Sequence, residues 1–138
     1  MSILKVARMG HPVLRARARE LDRADIKRPA VQSLVDDMIE TMIEYHGVGL
    51  AAPQVHESVR LFVATIDQAD DERGDPKPVV IINPEITPVG SEIIEDWEGC
   101  LSIPDIRGAC RAPARLCCAH WAGMESGLNC ACTATRRA

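Results

Sequence analysis

Gly47-Val48-Gly49-Leu50-Ala51-Ala52-Pro53-Gln54 is the stretch on which the reading of this chain turns. It follows an amphipathic segment, opens on two glycines, runs through small apolar residues and ends on an amide. Glycines allow a ligand close to the backbone, Ala51-Ala52 keeps the walls thin, and the Gln54 amide both donates and accepts hydrogen bonds. The bland reading is a helix end leading into a tight buried turn. A second stretch, Glu98-Gly99-Cys100-Leu101-Ser102, places one cysteine in a Gly-Cys turn after a predicted strand. Such a cysteine is either a small buried hydrophobe or a thiolate, acting as metal ligand or nucleophile.

The elements around these stretches follow from apolar spacing. Val31, Leu34, Val35, Met38, Ile39, Met42 and Ile43 recur at intervals of three and four, with Pro29 at the front and Gly47 at the end. That pattern predicts an amphipathic helix over about 30–45, closed by Gly47. Val59 to Ile66 predicts a strand, and Val79-Val80-Ile81-Ile82 a buried strand stopped by Asn83-Pro84. Glu85 to Val89 and Glu92 to Trp97 read as further strands, while Arg15 to Arg28 and Asp67 to Pro78 read as surface loops. His11-Pro12 favours an extended arm. One helix followed by short strands without intervening helices gives an α+β fold with antiparallel sheets.

A length of 138 residues fits one domain, burying roughly two-thirds of its unfolded surface. The net charge of −4 argues against a general nucleic-acid binder. No apolar run approaches the roughly 20 residues of a membrane span. The start lacks a basic region followed by an apolar core, so a cytoplasmic protein is expected. Cysteine divides the chain: residues 1–109 hold only Cys100, whereas Cys110, Cys117, Cys118, Cys130 and Cys132 crowd the rest. His11, His46, His56 and His120 each sit where a surface or structural role is expected, and none is an evident activator of Cys100.

Residues 1–109 resemble the peptide deformylases along nearly their whole length. The likeness rests on the Arg8-to-Leu14 opening, the helix, GVGLAAPQ, Ile82-Asn83-Pro84, and EGCLSIP with Arg107 after it. The resemblance implies Cys100 as a ligand to a divalent metal, Fe(II) in the cell and Zn(II) or Ni(II) in isolated proteins. It implies the Leu101 N–H and the Gln54 amide as donors to a formyl oxygen. Gly47, Val48 and Gly49 would line the groove for the peptide backbone and the methionine side chain. It also implies formyl-Met nascent peptides as substrate, the ribosome as a partner, and a monomer that binds neither membrane nor nucleic acid.

The family's third motif, a helical His-Glu-x-x-His, is absent from the 138 residues, which contain no His pair at i and i+4. The expected fold therefore lacks the central helix that carries it, and little or no deformylase activity is expected. Residues 1–109 form an incomplete deformylase-like domain on this reading, and 110–138 a divergent, disordered Cys-rich tail. The tail's composition fits an out-of-frame translation of a GC-rich gene; its alternative is a metal module, although Cys117-Cys118 and Cys130-x-Cys132 are unusual zinc spacings. A non-catalytic binder of formyl-Met peptides is the remaining alternative.

Overall fold

The computed structural model describes residues 2–65, 78–122 and 128–132. Its first residues form an extended arm tied to the body: the Ser2 N–H donates to Asp37 Oδ1 at 2.7 Å and the Leu4 N–H to Thr41 Oγ1 at 2.8 Å. After a 3₁₀ turn at Pro12–Leu14 the chain reaches a short helix, α1 (Arg23–Ile26). Asp22 caps it, accepting from the Asp25 N–H at 2.6 Å. The segment expected as a surface loop is therefore partly core: Leu21, Asp25 and Ile26 are buried. Charge misleads there because Asp25 is paired, 3.0 Å from both Arg19 and Arg28. The hydrogen bond from Arg19 holds the Asp25 carboxyl below the ordinary carboxylate value; Arg28 assists and burial opposes.

Helix α2 (Pro29–Glu44) matches the predicted helix, with proline in its first turn. Val35, Met38 and Met42 are buried as the stripe requires, but Ile43 is 58% exposed and Thr41 takes its place inside. The Thr41 hydroxyl is satisfied there, donating to the Asp37 carbonyl at 2.6 Å while accepting from the arm.

The strands follow: β1 (Gly49–Ala51), β2 (Leu61–Thr65), β3 (Pro78–Pro88), β4 (Ile93–Cys100), β5 (Ile103–Pro113), β6 (Leu116–Ala122) and β7 (Leu128–Cys132). One antiparallel sheet has the order β1-β2-β3-β6-β7, and β4 and β5 form a separate antiparallel ribbon. Helix α2 packs on β1 and β2, closing a core around Met38, Met42, Leu50, Leu61, Val63 and Ile82. Full burial of each such large apolar side chain is worth about 1.5–3 kcal/mol. The architecture is α+β with antiparallel sheets, as expected.

Two expectations about strands are corrected. Asn83-Pro84 does not stop a strand, because β3 runs through it with a register shift between Ile82 and Glu85. A bulge accommodates a proline that has no N–H to donate. Asn83 adopts φ 51, and its side chain pins the bulge to Leu21, accepting from its N–H at 3.0 Å and donating to its carbonyl at 2.7 Å. The break in composition at residue 110 is likewise not a break in the fold: it falls inside β5, and where disorder was expected β6 pairs with β3 and β7 with β6. The loop predicted over 67–78 lies outside the described residues except for Pro78, which starts β3. Among the described residues no helix is long and apolar enough to cross a membrane.

Candidate functional site

Helix α2 delivers the glycine-rich stretch through a two-bond closing turn. The His46 N–H donates to the Ile43 carbonyl at 2.9 Å and the Gly47 N–H to the Met42 carbonyl at 2.8 Å, the Schellman pattern. The left-handed residue of that turn is His46, at φ 54, and Gly47 follows it. Glycine at 47 instead marks a close approach. A Cβ there would stand 2.9 Å from Leu101 Cδ1, so the two motifs meet at this point.

Gln54 sits in a 3₁₀ turn at Ala52–Val55, directly after β1. Its Oε1 accepts from the Ala51 N–H at 2.9 Å, which fixes the amide plane. Its Nε2 donates to Ser102 Oγ at 3.1 Å and points at Cys100 Sγ, 3.7 Å away. One side chain thus bridges both motifs, with its N–H₂ directed at the second. Ser102 is 4% exposed and was not singled out from the sequence, although it stands in the same EGCLS string.

Cys100 ends β4, where the ribbon's register shifts between Gly99 and Cys100, and it pairs across Leu101-Ser102 with Ile103. The thiol is exposed and free of any disulfide. The N-terminal arm completes the wall, with the Ala7 N–H on the Gln54 carbonyl at 2.7 Å and the Met9 N–H on the Ser102 carbonyl at 2.8 Å.

These elements enclose a groove of about 1100 Å³. Gly47, Val48, Gly49, Gln54, Cys100 and Leu101, the six residues marked from the sequence, all line it. Lys5, Arg8, Trp97 and Arg107 line it too and were not marked as site residues. Their signal in the sequence is weak, since an exposed Lys, Arg or Trp on an arm or ribbon looks like ordinary surface. His46 is also on this wall; His11 and His56 are not, and pair with each other edge to face at 4.7 Å.

A catalytic metal of the kind the resemblance implies takes three protein ligands and an open position. Among the described residues no three His, Cys, Asp or Glu side chains converge to hold a metal ion. Cys100 is a suitable soft donor, but its near neighbours, the Gln54 amide and the Ser102 hydroxyl, are not the imidazoles needed beside it. The residues present do not fit a complete metal centre.

Comparison with known proteins gives this arrangement its kin. The model of the family described as "Polypeptide deformylase" matches residues 3–121, beyond the limit near 109 drawn from the sequence. A peptide deformylase of Salinibacter ruber is 42% identical over 120 residues, covering 83% of this chain and 60% of that protein. The chain therefore spans about 60% of the length of that curated relative. The K1U-bound class I type b peptide deformylase of Acinetobacter baumannii superposes with a TM-score of 0.82 at 31% identity, over 96% of this chain and 83% of that one. Another structure of the A. baumannii enzyme, bound to Met-Ala-Ser, gives 0.79 at 30% identity, over 95% and 82%.

Proposed function

The chain belongs to the polypeptide deformylase family, and from that premise we propose that its groove receives the formyl-methionyl end of a peptide and holds it without completing hydrolysis. The family is metal-dependent and acts on formylated nascent peptides. One observation carries the reading: the Gln54 amide bridges the two motifs, and all six residues marked from the sequence line one groove.

The chemistry assigned to each residue follows. Gln54 Nε2 donates to the formyl oxygen, and the Leu101 backbone N–H is its second donor. Oriented donors of this kind matter most where charge develops, and loss of one costs about 3 kcal/mol in an acyl-transfer site. Ala51 and Ser102 keep the Gln54 amide from rotating, so the donor is oriented before a ligand arrives. Gly47, Val48 and Gly49 present backbone to an extended peptide at β1, the edge strand of its sheet. Cys100 would be the one thiolate donor to a divalent metal, Fe(II), Zn(II) or Ni(II), were the other ligands present. Among the described residues one ligand stands where three are required, and on this reading they supply neither an activated water nor a general base.

The test pairs two measurements on the full chain. Calorimetry with formyl-Met-Ala-Ser is expected to show binding, and formate assays with added Fe(II), Ni(II) or Zn(II) to show no release. Release at ordinary enzyme rates, on the order of 1–10³ per second, overturns the claim of inactivity. Absence of any binding overturns the groove assignment itself.

A further inference from the structure

Backbone register sets two cysteines of the C-terminal stretch opposite each other. In the β6–β7 ladder Cys117 pairs with Cys132, Cys118 with Ala131 and Ala119 with Cys130. Opposed residues of an antiparallel pair have Cα atoms about 4.5 or 5.5 Å apart, according to the type of pair. A disulfide spans about 4.4–6.8 Å between Cα atoms, so either type admits one. The same geometry excludes the alternatives. Cys130 is diagonal to Cys117, at about 7–8 Å, beyond the reach of a disulfide without backbone movement. Cys118 belongs to the opposite face, because successive residues of a strand alternate. On the separate ribbon Cys100 is opposite Ile103 and Cys110 opposite Asp96. Among the described residues Cys117 and Cys132 are therefore the one pair of cysteines in register.

The place of the pair gives such a bond something to hold. Strand β7 is the edge of the five-stranded sheet and joins only β6, which is itself paired to β3. The ladder runs from Trp121–Leu128, the end at which the chain connects the strands, to Cys117–Cys132 at its open end. An edge strand frays from its open end, and a link there closes the ladder at both. We propose that Cys117 and Cys132 form a reversible disulfide that staples β7 to the sheet when the surrounding thiol pool is oxidised. With glutathione disulfide as oxidant, one thiolate of the pair attacks a glutathione sulfur, forming a mixed disulfide and expelling one glutathione thiolate. The second thiolate attacks the protein sulfur of that mixed disulfide and expels the other. Each leaving thiolate takes up the proton given up by an attacking thiol. Two cysteines are thus oxidised while one glutathione disulfide is reduced to two thiols. A reduced glutathione pool reverses both steps, so the link is a switch and not a permanent brace.

The test equilibrates the dilute full chain in glutathione buffers of rising oxidised fraction, quenches it by alkylation and maps the links by mass spectrometry. Cleavage after Arg115 and Glu125 separates Cys117 and Cys118 from Cys130 and Cys132, and serine variants assign the linked thiols. In urea, loop-closure entropy favours links between near neighbours. The folded chain is expected to hold Cys117–Cys132 as its principal disulfide, enriched at least about fivefold over the chain oxidised in urea. Cys130→Ser is expected to keep that link, and Cys132→Ser to lose it and leave Cys117 as a mixed disulfide. Amide exchange over 128–132 is expected to slow at least about tenfold on oxidation. Should a variant fail to fold, the comparison of the unaltered chain with and without urea decides alone. A urea-like distribution of links under native conditions, or no link at all, overturns the pairing. A link that leaves exchange over 128–132 unchanged overturns the staple.

Discussion

Alanine at Gly47 tests whether the two motifs are braced against each other. The added Cβ would stand 2.9 Å from Leu101 Cδ1 and 3.4 Å from the Met42 carbonyl oxygen. Non-bonded carbons settle about 3.5–4.0 Å apart, so Leu101 must swing away, and overpacking of this sort costs about 1–3 kcal/mol. A smaller effect opposes it. Gly47 is not among the positive-φ glycines, Gly10 and Gly90, so alanine fits the backbone and gains about 0.4–1 kcal/mol by restricting the unfolded chain. The net expectation for Gly47→Ala is a loss of about 0.5–2 kcal/mol. Leu101→Ala removes the colliding methyl, and in that background the same glycine substitution becomes neutral or stabilising by up to about 1 kcal/mol. Urea unfolding of the four proteins, compared at constant m-value, therefore yields a coupling of about 1–3 kcal/mol. Affinity for formyl-Met-Ala-Ser is expected to fall in the single glycine variant, since displacing Leu101 disturbs its backbone donor. Additivity within about 0.5 kcal/mol would refute the bracing.

Four further outcomes are expected. Met38→Ala, at a fully buried position, should cost about 2–5 kcal/mol in the same urea assay. Asn83→Ala removes two hydrogen bonds to Leu21 and the side chain best suited to φ 51, costing about 2–3 kcal/mol. Gln54→Ala should weaken formyl-Met-Ala-Ser binding roughly tenfold, as loss of one oriented donor implies, and an unchanged affinity removes Gln54 from the site. Asp25 has a folded-state pKa below its ordinary value of 3.8, so its stabilising contribution is present above that pH and is lost as pH falls below it; Asp25→Asn should flatten the acid limb of the stability profile in that window.

Periodicity made the fold legible where one face of an element carries the core. The helix over 29–44 and the β2 strand follow that rule, because Met38, Met42, Leu61 and Val63 are all buried. It failed where side chains override pattern. The Asn83-Pro84 step looks like a strand terminator until Asn83 is seen bonded to Leu21, 62 residues away. Arg19, Asp25 and Arg28 look like solvent-facing charge because a sequence does not show that they meet. The Cys-rich strands were missed for a third reason. Cys117 and Ala119 have no apolar-polar alternation to report, yet backbone register sets them opposite Cys132 and Ala131's neighbour Cys130. At the site, motif strings identified the six wall residues, but no local pattern reveals that a distant arm donates Arg8 or that a ribbon lays Arg107 across Gly99.

Under the proposed function the two halves of a deformylase site are physically separable, and the described residues bear on the binding half. Holding an acyl oxygen needs fixed N–H donors and an apolar, thin-walled groove. Those come from short-range geometry: the closing turn after α2, the 3₁₀ turn that aims Gln54, and the Cys100–Ile103 turn. All three are braced by contacts within residues 1–109, including the Gln54–Ser102 bond at 3.1 Å. Activating water needs several ligands converging on one point, and the single thiolate that the described residues bring to the groove does not meet that requirement. Binding can therefore persist where turnover does not. The distinction also fixes how a negative formate assay should be read: beside measurable peptide affinity it locates the deficit in the ligand set, whereas loss of both places it in the fold of the groove.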